Sequence, residues 1–379
     1  MPKNVRGTGA PEAGRRKFLK TAGFAGAAAA ATIAMPQISR AQTTTLKMQG
    51  SWGAKDVFNE FAEDYVKRVN EMAGGRLKID YLVGGAVVHP FQVLDGVHGG
   101  QIDAAHTVPV YWYGKHKAAS LFGTGPVFGC DATQMIAWMY HGGGNEFYRE
   151  LTQDVLGLNV VAFFGFGMPA QPLGWFKNEI TDASQLSGLK YRTVGLAADL
   201  FQSMGAAVAQ LPGGEIVPAM ERGVIEGFEF NNPTSDMRFG AQDVAKNYML
   251  SSYHQASESF EFIFNKDTFE DLDPDLQAIL KYGVEAAHLA NTALAMDKYS
   301  ADLQKLQTES GVNVKRTPDT VLTAQLEAWD KIMPALMEEP FFAKVTDSQK
   351  AWTERVAYYS LMGAPDYKMA FQRYFPGKI

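Results

Sequence analysis

The sequence predicts a mixed α/β protein of two lobes, each built on its own sheet and bridged by one long helix. Short apolar strands alternate with amphipathic helices over residues 45–194, a pattern typical of α/β proteins with mostly parallel sheets. The segment 93–104 is echoed at 217–227, where a short helix, a glycine and a strand follow in the same order. One such echo is explained equally well by two similar lobes and by the common succession of a helix, a glycine and a strand.

The first elements follow from the spacing of hydrophobic residues. Residues 56–72 predict an amphipathic helix, because Phe58, Phe61, Tyr65 and Val69 recur at helical spacing and glycines follow it. The other predicted elements of this half are strands at 45–50, 77–83, 102–106, 159–166 and 188–194, and a short helix at 91–98.

A long helix is predicted further along the chain. Residues 273–311 begin with the cap Asp273 and Pro274, end at Gly311 and are interrupted only by Gly283. At 1.5 Å per residue such a helix is about 55 Å long. Its apolar residues keep no strict heptad, so we expect it to run across both lobes. Two further helices are predicted at 318–338 and 348–360, followed by an aromatic tail that favours packing on another surface: Tyr367, Phe371, Tyr374 and Phe375.

The N-terminal segment differs in charge from the rest of the chain. Residues 1–41 carry seven basic residues and one acidic residue, and include the run RRKFLK at 15–20, an apolar stretch at 22–34 and small residues up to Ala41. This pattern predicts a twin-arginine signal peptide cleaved after Ala41, and therefore export to the periplasm. An uncleaved N-terminal helix is the alternative.

The remaining residues argue against several classes of protein. They carry 28 basic and 40 acidic residues, so a phosphate backbone would be repelled and nucleic-acid binding is not expected. The single cysteine, Cys130, excludes a disulfide framework and is expected to be a buried thiol. The run GFGMPA at 165–170 matches a loose dinucleotide pattern, but Pro169 and Pro172 disrupt the helix it requires. The run HGGG at 141–144 resembles the oxyanion loop of esterases, but the sequence contains no Gly-x-Ser-x-Gly motif that would supply a nucleophile.

The segment 184–229 resembles a known family. It contains SQLSGLKYRT at 184–193, MGA at 204–206 and EIVPAMERGVIEGFE at 215–229. This succession resembles the DctP-type periplasmic solute-binding components of tripartite ATP-independent periplasmic (TRAP) transporters, and the resemblance extends along most of the mature chain. Gln171 shortly before Gly174, and Glu229 before an aromatic residue, are most similar to the TakP-like branch, which binds 2-oxo acids and related carboxylates together with a metal ion.

The resemblance implies that Arg192 clamps the substrate carboxylate. Independently, a guanidinium offers two parallel donors that match a carboxylate and stays charged when it is desolvated. An arginine on an exposed strand face is the alternative for this position.

The carboxylate of Glu229 would repel an anionic substrate in the same cleft, so we expect a cation to bind beside it. We expect the Glu229 carboxylate, the Gln171 side-chain carbonyl, the Phe230 backbone carbonyl and substrate oxygens to form an all-oxygen shell for Na⁺ or Ca²⁺. The alternative is a ligand-free structural ion pair between Glu229 and Arg192.

Aromatic residues are the candidates for the pocket walls, and core packing explains each of them equally well. They are Trp52, Tyr111, Trp112, Tyr113 and Phe166, of which Tyr111 and Tyr113 also offer a hydroxyl.

The resemblance implies a two-lobed, type II-like periplasmic binding protein with extra C-terminal helices. The expected lobe I is 43–169 plus 256–295, lobe II is 170–255 plus 296–345, and the helical tail is 346–379. Its expected partners are a small carboxylate such as pyruvate or lactate, the TRAP membrane subunits, and a second protomer that exchanges the C-terminal helix. A twin-arginine-exported enzyme and a sensor-type binding module without a transporter are the other hypotheses.

Overall fold

Two mixed sheets organise residues 43–379, the part of the chain that the computed structural model describes. The predicted signal peptide at 1–41 lies outside the described residues. The strands, in chain order, are β1 (Thr44–Gly50), β2 (Leu77–Leu82), β3 (Ala104–Thr107), β4 (Val160–Pro169), β5 (Gly174–Phe176), β6 (Lys190–Arg192), β7 (Ala207–Ala209), β8 (Gly227–Phe228), β9 (Asn247–Leu250), β10 (Ser257–Asn265) and β11 (Asn313–Arg316).

The helices cover the faces of these sheets. In chain order they are α1 (Val57–Met72), α2 (Val93–His98), α3 (Ser120–Gly123), α4 (Ala132–His141), α5 (Gly144–Arg149), α6 (Leu196–Ser203), α7 (Ile216–Glu221), α8 (Pro233–Phe239), α9 (Ala241–Val244), α10 (Lys266–Glu270), α11 (Pro274–Thr308), α12 (Asp319–Leu336), α13 (Pro340–Gly363) and α14 (Tyr367–Tyr374). None of the described helices is both long enough and apolar enough to cross a bilayer.

The two sheets share one layout over five strands, and the second sheet carries β11 as a sixth strand, parallel to β9. Their strand orders are β2-β1-β3-β10-β4 and β11-β9-β5-β8-β6-β7. In the first, β1 is parallel to β2 and β3, and β10 is antiparallel to β3 and β4. In the second, β6 is parallel to β7 and β8, and β5 is antiparallel to β8 and β9. The sequence echo falls on α2–β3 and α7–β8, which occupy equivalent positions in the two sheets.

The chain passes between the sheets at two short crossovers. One crossover joins β4 to β5 through residues 170–173, and the other joins β9 to β10 through residues 251–256. The crossovers contact each other, because the backbone N–H of Gln171 donates to the carbonyl of Gln255 at 3.0 Å. Since β10 lies between β3 and β4, the first sheet is assembled from segments far apart in the sequence.

The long helix α11 bridges the two halves, as its length and irregular apolar pattern predicted. Leu280 and Val284 pack in the core beneath the first sheet, and Leu306 packs in the core of the second with Trp175. Gly283 allows α11 to approach α1 closely, since a Cβ at this position would lie only 3.0 Å from a methyl group of Val69.

The C-terminal helices differ from the predicted lobe division. Residues up to 345 were assigned to lobe II, but Phe341, Phe342 and Val345 pack in a core cluster that also contains Trp138 of α4. The start of α13 also differs from the prediction: the Glu339 side chain accepts the backbone N–H groups of Phe341 and Phe342, so the helix starts at Pro340 rather than at 348.

Cys130 is buried, as predicted from the sequence. Its Sγ lies 3.1 Å from Oγ1 of Thr353, a buried residue of α13. The thiol therefore sits inside the packing between α13 and the helices that cover the first sheet.

Candidate functional site

A small cavity lies where the two sheets face each other. Its free volume is about 10 Å³, room for one water molecule and far below the range of roughly 300–1,000 Å³ typical of sites for drug-sized ligands. The walls combine a polar group of side chains with an apolar group. The polar members are Gln171, Arg192, Asn231 and Glu258, and the apolar or aromatic members are Trp52, Val108, Tyr111, Val194, Phe230 and Phe260.

Arg192 lies at the end of β6, the second strand from one edge of the second sheet, and is 1% exposed. Its Nε donates to the carbonyl of Leu211 at 2.8 Å. Its Nη1 donates to the Glu229 backbone carbonyl at 2.9 Å and to Glu229 Oε1 at 2.8 Å. No acceptor for Nη2 is found among the described residues, so half of the guanidinium fork is free for a ligand.

Glu229 follows directly after β8, the neighbour of β6, and this pairing places the two charged residues together. Its Oε1 accepts from Arg192, but its buried Oε2 has no partner among the described residues. Burial raises the pKa of Glu229 to about 7, and the charge of Arg192 opposes that increase. The ion pair named above as the alternative is thus present, yet it leaves both partners with unused hydrogen-bonding capacity beside a cavity.

Gln171 and Glu258 complete the polar wall. The Gln171 Nε2 donates to Glu258 Oε2 and lies 3.5 Å from Asn231 Oδ1. Glu258 lies on β10, and its pKa is raised to about 8, first by burial and then by the charge of Glu229. Sequence reasoning missed Glu258. The available signal was a glutamate in the Phe-rich run 257–265, where a buried charge requires a partner.

The donor set fits a hard cation. Within the group formed by Arg192, Glu229, Gln171 and Glu258, three buried side-chain oxygens have no partner among the described residues: Gln171 Oε1, Glu229 Oε2 and Glu258 Oε1. Carboxylate and amide oxygens suit Na⁺ or Ca²⁺ rather than thiolate- or imidazole-seeking metals. The described residues contain no group of three or more His, Cys, Asp or Glu placed for a metal, so such a shell must include amide or backbone oxygens.

The structure brings only some of the predicted aromatic residues to the cavity. Trp52, Tyr111 and Phe230 line it, whereas Phe166 packs between Phe61 and Phe260 in the core.

Trp112 and Tyr113 point away from the cavity. The 3₁₀ turn Pro109–Trp112 spreads consecutive side chains in different directions. The Trp112 indole donates to Glu261 at 2.8 Å within the core, and the Tyr113 hydroxyl donates to Asp199 at 2.8 Å.

A second set of contacts joins the two halves at the rim of the cleft. Ser235 of α8 donates to Oδ1 of Asp56, the N-cap of α1, at 2.8 Å. Arg238 of α8 donates to Glu60 of α1 at 2.7 Å. Burial raises the pKa of Asp56 to about 6. These contacts hold α8 of the second half against α1 of the first.

Comparison with known sequences identifies relatives along most of the chain. The family model described as bacterial extracellular solute-binding protein, family 7 (DctP) matches residues 48–342. A monocarboxylate 2-oxoacid-binding periplasmic protein of Nostoc sp. is 29% identical over 367 residues, covering 93% of this chain and 98% of the relative. An ectoine/5-hydroxyectoine-binding periplasmic protein of Ruegeria pomeroyi is 23% identical over 332 residues, covering 86% of this chain and 93% of the relative.

Solved structures of TRAP solute-binding proteins share the fold. One from Bordetella bronchiseptica, a dimer with calcium and picolinate in one site, has a TM-score of 0.81 at 28% identity and covers 88% of this chain and 97% of its own. One from Pseudoalteromonas atlantica, with sodium and pyruvate, has a TM-score of 0.80 at 27% identity, covering 88% and 100%. One from Colwellia psychrerythraea, with calcium and pyruvate, has a TM-score of 0.80 at 28% identity, covering 88% and 100%. The matched family and these relatives are binding proteins, not enzymes, so the exported-enzyme hypothesis is not supported.

Proposed function

Since the chain belongs to the DctP family of bacterial extracellular solute-binding proteins, we propose that it captures a small 2-oxo acid or a related monocarboxylate together with Na⁺ or Ca²⁺. The bound acid is then delivered to the membrane subunits of a TRAP transporter. The ligand lies between two lobes, 43–169 with 256–295 and 170–255 with 296–316, which close over it by a hinge motion at the crossovers.

One observation carries the proposal: a buried arginine shares the walls of one small cavity with Gln171 and Glu258, each of which has an unpartnered buried oxygen, and a third such oxygen belongs to Glu229, the ion-pair partner of that arginine. Nη2 of Arg192 offers a hydrogen bond to the ligand carboxylate. Gln171, Glu229 and the Phe230 backbone carbonyl would hold the cation, and Glu258 contributes a further oxygen. The cation supplies positive charge that offsets the repulsion between the buried glutamates and an anionic ligand.

Because the ligand is small, both the arginine and the cation must bind it. A pyruvate-sized acid has six heavy atoms, and at the ceiling of about −1.5 kcal/mol per atom it binds with at most about −9 kcal/mol. That free energy corresponds to a dissociation constant near or somewhat below micromolar. Micromolar affinity therefore requires contacts to nearly every ligand atom, which an arginine and a chelated cation provide.

The relatives agree with this choice of ligand. Two neighbours at 27–28% identity hold pyruvate with sodium or calcium, and the Nostoc relative binds monocarboxylate 2-oxo acids. We infer export by the twin-arginine route from residues 15–20.

A second copy of the chain is the proposed occupant of the apolar C-terminal surface. This surface consists of exposed side chains at the end of α13 and on α14: Tyr358, Tyr359, Leu361, Met362, Tyr367, Met369, Phe371, Tyr374 and Phe375. The dimeric Bordetella relative supports a partner of this kind. Sedimentation equilibrium is expected to give a dimer for residues 43–379 and a monomer for residues 43–365. If residues 43–379 remain monomeric at high micromolar concentration, the proposed dimer is contradicted.

The proposed ligand is tested on protein that has been unfolded, dialysed to remove bound ligand and refolded. Melting temperatures are measured with pyruvate, 2-oxobutyrate and lactate, each with Na⁺, Ca²⁺ or choline as the cation. We expect a 2-oxo acid and a metal ion to raise the melting temperature together by more than the sum of their separate effects. The absence of any shift across this matrix would overturn the proposal.

A further inference from the structure

The ligand cavity shares two of its walls with a second, larger cavity. This outer cavity has a volume of about 450 Å³ and opens at the mouth of the cleft, lined by residues of both halves. Tyr111 and Phe230 line the inner and the outer cavity alike. Any ligand atom that extends from the inner to the outer cavity must therefore pass one of these two rings.

Other apolar walls of the inner cavity are held in place by the protein core. Trp52, Val108 and Phe260 belong to one buried core cluster, where the Trp52 ring packs on Phe260 at a centroid distance of 5.2 Å. The Trp52 indole is also fixed by a hydrogen bond to Nδ1 of His106 at 2.8 Å. Behind these side chains lies close-packed protein, so a longer ligand finds no space in that direction.

Phe230 belongs to the core cluster of the second sheet, and its ring also borders the outer cavity. Its ring meets Phe239 at a centroid distance of 5.1 Å, and both rings line the outer cavity. The guanidinium carbon of Arg192 lies 5.6 Å from the centre of the Phe230 ring, so this ring stands next to the carboxylate-binding group. A ligand whose carboxylate is held at Arg192 would therefore lie next to this ring.

Gly213 fixes the ring from the outer side. A Cβ at position 213 would lie 2.5 Å from both Cε2 and Cζ of Phe230, closer than any real contact. Gly213 lines the outer cavity and not the inner one, so the ring rests against its bare backbone from that side. The neighbouring Gly214 has no atom within 4 Å of an added Cβ.

We propose that Phe230 is the specificity-determining wall of the site. Its ring, seated on Gly213, ends the ligand cavity and limits the protein to the shortest 2-oxo acids. Removing the ring joins the two cavities and admits 2-oxo acids with longer apolar side chains. This inference rests on the proposed function and names the residue that sets ligand length. Aromatic lining by Tyr111 and Phe239 makes an aliphatic side chain the suitable occupant of the outer cavity.

The test compares pyruvate with 2-oxohexanoate by titration calorimetry in saturating Na⁺ or Ca²⁺. One buried methylene in a hydrophobic pocket changes discrimination by about 10- to 200-fold. Wild-type protein is expected to prefer pyruvate, and Phe230→Ala is expected to shift the affinity ratio toward 2-oxohexanoate by at least tenfold. Phe230→Leu, the milder variant, is expected to shift it by at least threefold. Both variants keep the backbone carbonyl proposed for the cation.

Two controls separate this effect from a general loss of packing. Phe228→Leu removes a buried ring from β8 that lines neither cavity, and it is expected to leave the ratio unchanged. Gly213→Ala is expected to push the Phe230 ring inward and weaken pyruvate binding at least threefold, whereas Gly214→Ala is expected to have no effect.

A ratio that stays within threefold of wild type in both Phe230 variants overturns the inference alone, because pyruvate still binds. A wild-type protein that binds 2-oxohexanoate as tightly as pyruvate also overturns it. A wild-type protein that binds no carboxylate under any of these conditions overturns the proposed function and this inference together.

Discussion

Arg192 and Glu229 are joined twice, because one guanidinium nitrogen of Arg192 donates to both the backbone carbonyl and the side-chain carboxylate of Glu229. The backbone carbonyl of Leu211 holds the Nε of the same guanidinium. Three acceptors thus fix its plane before any ligand arrives, which reduces the entropy lost on binding. The arginine is a rigid element of the site rather than a flexible surface charge.

Replacing Arg192 with lysine should weaken carboxylate binding at least tenfold. A lysine ammonium is a point charge on a flexible stem and cannot satisfy Leu211, Glu229 and a ligand in one plane. Titration calorimetry with pyruvate measures the loss. Arg149→Lys changes an exposed arginine in the same way and should leave the affinity unchanged. Equal affinities for wild type and Arg192→Lys would count strongly against the clamp.

Replacing Glu229 with glutamine should abolish the enhancement of ligand binding by the cation. The amide keeps an oxygen in place but removes the negative charge that attracts a cation. The measurement is pyruvate affinity in Na⁺ or Ca²⁺ compared with choline, at constant ionic strength. Wild-type protein should bind more weakly in choline, and the variant should bind alike in all three salts. A variant that still responds to metal would place the cation elsewhere.

Replacing Arg238 with alanine should loosen the closed form. Arg238 reaches from α8 to Glu60 on α1, so the pair exists only when the two halves are together. Partly exposed ion pairs contribute about 0.2–1 kcal/mol, which predicts an increase in ligand dissociation rate of roughly 1.4- to fivefold. Stopped-flow fluorescence measures this rate. Arg68→Ala removes a comparable pair with Asp64 that lies within α1, and its rate should match wild type.

Replacing Glu261 with glutamine should stabilise the protein at alkaline pH. Burial raises the pKa of Glu261 from 4.5 to about 7, so the folded state favours the protonated acid. Wild-type stability therefore falls as the pH rises from about 4.5 to 7 and stays lower above that range.

The pH series distinguishes titration of Glu261 from a packing effect. A shift of this size is worth about 3 kcal/mol, and glutamine retains the acceptor for Trp112 without carrying charge. Unfolding by urea should show equal stability of the two proteins at pH 4 and a gain for Glu261→Gln at pH 8. A gain that is the same at both values would mean that ionisation is not the cause.

The fold was largely accessible from the sequence, because local signals dominate it. Hydrophobic spacing and a glycine stop locate α1, and the cap at Asp273 with an uninterrupted run locates α11. Boundaries shifted where capping was overlooked. The predicted helix at 348–360 begins at Pro340, since the Glu339 side chain satisfies its first N–H groups.

The site was less accessible, because tertiary geometry decides which side chain faces the cavity. Residues 111–113 are three consecutive aromatics, and only Tyr111 lines the cavity because the 3₁₀ turn directs the next two elsewhere. Glu258 escaped notice because its partner, Gln171, lies 87 residues away. Arg192 and Glu229 were accessible only through the family motif that contains both.

The position of β10 constrains how the protein can be made. Without residues 257–265, β3 and β4 have no strand between them, so the N-terminal half of the nascent chain exposes two open sheet edges. More than 200 residues must leave the ribosome before these edges can be sealed. The first sheet therefore closes late in synthesis, and a chain that stalls before that point is a natural substrate for chaperones that bind unpaired strands.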